Sequence, residues 1–420
     1  MATATNDLAV QLGVRGLVCK ECGEEHALGD DFSCSVCFGA LEIDYDLDAL
    51  AGVVTRESVE RGPRTLWRYA DLLPVPQSGR IDTGTGWTPL RQAPRLAAEL
   101  GLKKVWIKND ALNPTHSFKD RVVSVALTVA RHLGFEVGAC ASTGNLANSV
   151  AAHCAAAGLK SVVFIPDNLE PAKIAASAVY GGEVVGVDGS YDDVNRICSE
   201  LSATKPWAFV NVNLRPYYSE GSKTVGFEVA EQLGWRAPEA IVCPVASGSL
   251  LTKVERGLNE FARLGLIDDV STTFHGAQAE GCSPVARAFT EGAEFVDPVR
   301  PDTVAKSLAI GNPADGHRVL QTTRKSGGEV VSVPEEEVAE GIRLLARTEG
   351  IFTETAGGVT ISALERLARK GSISPDQEVV ALVTGQGLKT LDALGEAAPT
   401  IRVNRDLDSV LTELERKELR

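Results

Sequence analysis

From residue 105 onward the hydrophobic pattern alternates between two periods. Short runs dense in Val, Ile, Ala and Phe alternate with stretches whose apolar residues recur at helical spacing. The runs predict strands at Val105–Lys108, Val137–Ala141, Ser161–Ile165, Glu183–Val187, Ala208–Val212 and Ala240–Val245, with later ones near Thr272–Ala277 and Val379–Val383. The intervening stretches predict helices at Lys119–Leu133, Leu146–Ala157, Pro171–Tyr180, Tyr191–Ala203, Ser222–Leu233 and Leu250–Leu264. Strands buried on both faces read as continuous apolar runs, so this βαβα rhythm predicts an α/β fold of parallel sheets covered by helices. Right-handed crossovers then gather the loops after the strands at one edge of each sheet, where chemistry is expected. Residues 1–45 are short of apolar periodicity and could not bury a core unaided. Residues 46–90 read as a connecting segment, and Asp406–Arg420 as one amphipathic helix.

The N-terminal segment has another means of holding itself together. Cys19-Lys20-Glu21-Cys22 and Cys34-Ser35-Val36-Cys37 repeat a Cys-x-x-Cys turn. Each turn aims two thiolates at one point, and two turns complete a tetrahedron that suits zinc and leaves no open position. A structural zinc ribbon is expected, with iron as the other metal the cage would accept. Gly23 and Gly39 follow the turns, where positive φ is expected.

Composition narrows the partners. The 420 residues carry 42 basic and 56 acidic side chains, a net charge of −14. Such a chain repels nucleic acid and anionic lipid, so neither is expected as a partner. No apolar run is long enough to span a bilayer. Residues 1–16 show no basic stretch followed by an apolar one, so no secretory signal is expected. The remaining cysteines, Cys140, Cys154, Cys198, Cys243 and Cys282, are scattered singles. They read as core thiols of a reduced, cytoplasmic protein. Among the histidines, His132, His153, His275 and His317 show no metal-ligand spacing.

The most informative stretch is Asn113-Pro114-Thr115-His116-Ser117-Phe118-Lys119-Asp120-Arg121. Ser117 is placed to cap the following helix, which puts Lys119 in its first turn, beside the positive helix end. An amine positioned in this way is a candidate nucleophile toward an aldehyde. Ala141-Ser142-Thr143-Gly144-Asn145 follows a strand and opens a helix, a ready anion site. Pro244-Val245-Ala246-Ser247-Gly248-Ser249-Leu250 does the same with small residues.

On these motifs, together with Gly86-Trp87-Thr88-Pro89-Leu90, Glu220-Gly221-Ser222-Lys223-Thr224, Ile310-Gly311-Asn312-Pro313 and Val383-Thr384-Gly385-Gln386-Gly387-Leu388-Lys389, residues 80–395 resemble the fold-type-II pyridoxal-phosphate enzymes. Within them, the threonine synthase family is the most similar. The resemblance implies two doubly wound parallel-sheet domains of tryptophan synthase β-like architecture plus the N-terminal zinc ribbon. The expected division is 1–45 ribbon, 46–113 linker and start of the large domain, 114–225 small domain, and 226–420 large domain. It implies pyridoxal phosphate bonded covalently to Lys119. Phe118, Asn145, Thr384 and the phosphate cradle Ser247, Gly248, Ser249 and Leu250 would hold the cofactor. It assigns the substrate carboxylate to Ser142 and Thr143.

The implied reaction converts O-phosphohomoserine and water to threonine and phosphate, so the expected partner is a small phosphorylated amino acid, and a homodimer is compatible. The substrate phosphate would fall to Arg215, assisted by Asn211, Asn213 and Lys223, and His116 is close enough in sequence to touch substrate. The chain departs from the family pattern in several places: His116 replaces a usual Gly, Leu146 replaces Thr, Tyr218 stands where an Arg is usual, Glu354-Thr355-Ala356-Gly357-Gly358 replaces a usual Glu-Pro-Ala-Ser-Ala, and the cradle is poorer in Gly and Asn. Two other readings are kept. One is a β-replacement enzyme on O-phosphoserine, like cysteate synthase. The other is a binding module built on the ribbon with an inactive cofactor domain.

Overall fold

The computed structural model describes residues 13–417 except 32, 143, 168–170, 190 and 396–399. Three sheets organise it. Strands β1 (Val14–Cys19), β2 (Glu25–His26) and β3 (Leu41–Tyr45) form a small antiparallel sheet in the order β2-β1-β3. Strands β4 (Leu90–Gln92), β5 (Lys104–Asn109), β10 (Ala240–Pro244), β11 (Thr273–Ala279), β12 (Val330–Val333) and β13 (Glu378–Val383) form a six-stranded sheet. Its order is β12-β11-β10-β13-β5-β4, and only β4 runs antiparallel to its neighbour. Strands β6 (Val137–Ala141), β7 (Lys160–Pro166), β8 (Glu183–Val187) and β9 (Ala208–Phe209) form a parallel sheet ordered β8-β7-β6-β9. The fold is therefore the α/β arrangement of parallel sheets that the hydrophobic rhythm predicts.

Every residue of β10 and of β13 is buried, as unbroken apolar runs require when helices cover both faces. The edge strand β8 keeps Glu183, Val185 and Gly186 exposed. The predicted strand at Ala208–Val212 is shortened to Ala208–Phe209, because the chain turns at Val210–Asn213 toward helix 215–220.

Two long helices, Glu335–Glu349 and Thr355–Lys370, escaped the sequence reading. They cross so closely that a Cβ on Gly341 would meet the Gly358 carbonyl at 2.3 Å, and one on Gly358 would meet the Val338 carbonyl at 2.4 Å. Small residues that permit this contact also dilute the apolar periodicity on which helix recognition depends.

Candidate active site

Helix α1 (Lys119–His132) starts at the lysine itself, and the loop before it is stitched to the turn after β13. The Phe118 N–H donates to the Thr384 carbonyl at 2.8 Å, and the Gln386 N–H to the His116 carbonyl at 3.2 Å. Ser117 and Gly385 pair as an isolated antiparallel bridge. His116 holds φ +63°, in the left-handed region. Glycine adopts that conformation freely, which accounts for the Gly usual in the related motif; another residue pays about 1–2 kcal/mol. The Lys119 ammonium nitrogen lies 5.4 Å from the Phe118 ring centroid and 5.9 Å from that of Tyr218. Among the described residues it has no hydrogen-bond or ion-pair partner.

The expected Ser117 cap is not formed: no side chain caps α1, and Ser117 Oγ is buried without a partner. Asp120 fastens the loop instead. Its carboxylate accepts the Thr115 N–H at 2.7 Å, the Thr115 hydroxyl at 2.5 Å and the Ser149 hydroxyl at 2.7 Å.

One residue further, Arg121 is wholly buried and clamps the base of the helix. It donates to Asp110 at 2.7 and 2.8 Å and to Glu228 at 2.5 and 2.8 Å. Lys108 Nζ reaches Glu228 at 2.6 Å, so two cations face two carboxylates and the buried charge cancels. Glu228 also accepts the Trp87 and Thr88 N–H groups at 2.7 and 3.2 Å. Burial pushes the Glu228 carboxyl up, but the adjoining Arg121 and Lys108 charges outweigh it and hold it at about 2. The turn at 86–89, strand β5, the lysine helix and helix α4 (Lys223–Gln232) thus meet at one neutral cluster.

A second cluster lies at the loop contact. Asn145, the first residue of helix α2 (Asn145–Ala157), donates its amide to Glu354 at 2.8 Å and accepts from Lys389 Nζ at 2.8 Å. Lys389 also donates to the Thr115 carbonyl at 2.5 Å, and the Thr384 hydroxyl points to Glu354 at 3.4 Å. Burial raises the Glu354 carboxyl, opposed by the Asn145 hydrogen bond and the Lys389 charge. A Cβ at Gly385 would stand 2.4 Å from that carboxylate, so only glycine leaves room for it. Glu354 and Lys389 were not foreseen as site residues, although both stand in motifs the sequence displays, Glu354-Thr355-Ala356 and Gly387-Leu388-Lys389.

The predicted cradle follows β10. Gly248, at φ +95°, precedes helix α5 (Ser249–Arg263), and no side chain caps that helix. Its first N–H groups therefore face outward for an anion. A Cβ on Gly248 would lie 2.8 Å from Val319 and 3.0 Å from the Asp315 backbone, so the turn requires glycine twice over. Ser247, Ser249 and Leu250 are half-buried around it.

On the other sheet, Ser142 follows β6 and its hydroxyl accepts the Gly144 N–H at 3.3 Å; Thr143 lies outside the described residues. Asn211 and Asn213 each bury a side-chain oxygen that no group satisfies. Arg215 opens helix α3 (Arg215–Glu220) and touches Asp315 at 3.3 Å, with a third of its side chain exposed. Lys223 does not join them. It is fully buried and ion-paired with Glu220 at 2.7 Å and Glu260 at 2.9 Å, so its charge is neutralised within the core.

At the N-terminus, the four sulfurs of Cys19, Cys22, Cys34 and Cys37 all lie within 4.8 Å of one another. Separations are 3.4 Å for Cys19–Cys37 and Cys22–Cys37 and 3.7 Å for Cys22–Cys34. Four sulfurs about 2.3 Å from one ion stand about 3.8 Å apart in a tetrahedron, so the cage fits a metal of zinc's size. Backbone N–H groups point at Cys19 and Cys34 and hold both thiols below their ordinary range, Cys34 at about 6. Gly23 has the expected positive φ of +76°, but Gly39 does not; the left-handed residue of the second turn is Phe38. Gly39 is required for space, since a Cβ there would stand 2.9 Å from Cys19 Sγ.

The chain belongs to the family of pyridoxal-phosphate dependent enzymes, whose profile matches residues 81–385. Within it, the curated proteins to which it is similar include threonine synthases of archaea and bacteria. That of Methanocaldococcus jannaschii is 36% identical over 93% of this chain and 97% of its own length. That of Methanosarcina acetivorans is 36% identical over 94% and 97%, and that of Synechocystis 36% over 77% and 82%. Among solved structures, threonine deaminase isoform 2 of Solanum lycopersicum superposes with a TM-score of 0.62 at 21% identity, over 79% of this chain and 84% of that one. Maize serine racemase gives 0.61 at 18%, over 79% and 92%. Both share the fold. No helix among the described residues is long and apolar enough to cross a membrane.

The residues present suit that family's cofactor. A lysine amine with no hydrogen-bond or ion-pair partner among the described residues, an uncapped helix behind a glycine that tolerates no Cβ, and a buried Ser117 hydroxyl unpaired among those residues together offer a nucleophile, a phosphate cradle and an unused polar contact.

Proposed function

We propose that this chain converts O-phosphohomoserine and water to threonine and phosphate, with Lys119 as both the anchor of pyridoxal phosphate and the proton carrier. The observation that carries the reading is the Lys119 amine, which has no hydrogen-bond or ion-pair partner among the described residues and sits where the lysine loop joins the 384–387 turn. When bound, the cofactor supplies an aldehyde that bonds an amine and a ring that takes up the electrons left at the substrate α-carbon.

The chain's own residues do the rest. The N–H groups at Ser249 and Leu250, behind Gly248, hold the cofactor phosphate; Phe118, Ser247, Asn145 and Thr384 hold its ring and position it. Ser142, Thr143 and the free N–H groups at the start of α2 take the substrate carboxylate. With the cofactor bound, the Lys119 amine would take the substrate α-proton and later return it to the same carbon. Across the reaction the β-carbon loses a proton, the γ-carbon–oxygen bond breaks and phosphate leaves with its electron pair, the γ-carbon gains a proton, and water gives its hydroxyl to the β-carbon and its remaining proton to the phosphate. Arg215 holds the departing phosphate through its guanidinium fork, and Asn211 offers a nearby amide, whereas the Asn213 amide is already donated to the Trp207 carbonyl at 3.0 Å. The Cys19, Cys22, Cys34 and Cys37 cage holds a structural zinc, since four thiolates leave no place for substrate.

Turnover of O-phosphohomoserine, followed as equal amounts of threonine and phosphate, tests the reading. Phosphate release from O-phosphoserine with none from O-phosphohomoserine would replace it by a β-replacement reaction.

A further inference from the structure

The metal ribbon touches the active-site edge at one buried side chain. Lys20 lies between the first two cage cysteines, and its Nζ donates to Asp315 Oδ1 at 2.9 Å. Arg215 donates to the other oxygen, Oδ2, at 3.3 Å. Lys20 and Asp315 keep 9% and 5% of their side chains exposed, against 34% for Arg215. Asp315 stands at the N-cap of helix α6 (Gly316–Lys325), where an aspartate usually accepts a backbone N–H, yet it makes no cap bond. Its carboxylate is committed to the two cations instead. Its own N–H donates to the Ser247 carbonyl at 2.8 Å, which ties it to the cradle turn. Lys20 is held on its own side: its N–H donates to the Ala40 carbonyl at 3.0 Å, and its carbonyl accepts from Arg318 at 2.7 Å.

We propose that Lys20 is a positioning residue for the substrate phosphate: by occupying one oxygen of Asp315 it keeps Arg215 from being clamped, and so makes the metal ribbon a wall of the substrate site. The inference rests on the reading of Arg215 given above. Two cations around one carboxylate leave a net charge of +1, and it sits on the more exposed partner, Arg215. With Lys20 absent, both Asp315 oxygens are free to take the guanidinium in a bidentate fork, a strong and neutral pair. A phosphate would then have to displace Asp315. With Lys20 in place, Arg215 makes a single long contact and retains donors for an incoming anion.

Lys20→Met keeps the chain length and removes the charge. In the zinc-loaded holoenzyme, the KM for O-phosphohomoserine and the dissociation constant of inorganic phosphate, measured by calorimetry, should each rise about tenfold. The turnover number at saturation should stay within about threefold, and metal content, cofactor affinity and the cofactor's visible spectrum should not move. Lys20→Arg should keep most of the phosphate affinity. Adding Asp315→Asn to Lys20→Met removes the competitor and should restore it, a rescue that a merely structural lysine would not give. Unchanged phosphate affinity in Lys20→Met, or a loss shared equally with cofactor or metal, overturns the proposal. If Lys20→Met does not fold, Asp315→Asn alone decides: affinity at or above wild type is expected, and a tenfold loss overturns it. Wild-type enzyme that turns over no O-phosphohomoserine would sink the functional reading, while the phosphate titration would still judge Lys20.

Discussion

At position 116 the backbone turns at φ +63° with an exposed histidine on it. His116→Gly should relieve about 1–2 kcal/mol of left-handed strain and give back part of it through the freer unfolded chain. The expected result is an unfolding free energy raised by up to about 1 kcal/mol in urea titration; a lowered value would show that the imidazole makes stabilising contacts. Lys389 is the opposite case. Lys389→Met would leave Glu354 buried without its nearest cation and the Asn145 oxygen without its donor. A loss of about 1–3 kcal/mol is expected, together with faster cofactor release on dialysis. Unchanged retention would mean that Asn145 does not need Lys389 to hold its orientation.

Between elements, Arg121 joins the lysine helix to β5, to helix α4 and to the 86–89 turn. Arg121→Met would strand Asp110 in the core and take from Glu228 one of its two cations, at a cost of about 3–5 kcal/mol measured by denaturant unfolding. The same cluster sets an acid limit. Glu228 sits at about 2 when folded, below its ordinary range, so the stability it lends is present above about 4.5 and is lost as pH falls through about 2. Glu228→Gln should flatten the stability–pH curve in that window; an unchanged slope would place the titrating group elsewhere.

Elements of this kind were unevenly legible. Val137–Ala141 and Glu183–Val187 match their predicted bounds, because turn residues on either side of a short β-rich run mark where it starts and stops. The four cage cysteines could be picked out from local spacing, and Lys119 from the resemblance of its motif. Arg121, Glu354 and Asp315 could not be assigned their distant partners Glu228, Asn145 and Lys20, each more than a hundred positions away. The Glu335–Glu349 and Thr355–Lys370 helices were missed for a related reason: their glycines serve a contact between helices, not within one.

Across the whole molecule, the N-terminal ribbon is fastened to the neighbouring helices by side-chain contacts. Ile43 and Tyr45 belong to the main hydrophobic cluster, the Tyr45 hydroxyl donates to Glu220 at 3.0 Å, and Glu42 pairs with Arg256 at 2.8 Å. One zinc per chain is expected by elemental analysis. Stripping it with a chelator should lower the melting temperature by several degrees while the two parallel sheets persist by circular dichroism; an unchanged melting temperature would mean that the cage contributes nothing to the fold. The central claim, that Lys119 carries the cofactor, is tested most directly by reducing the holoenzyme with borohydride and mapping the labelled peptide by mass. The cofactor mass should appear on the peptide holding Lys119 and vanish in Lys119→Ala. A label on Lys108, Lys389 or any other lysine, with residue 119 unmodified, would contradict it.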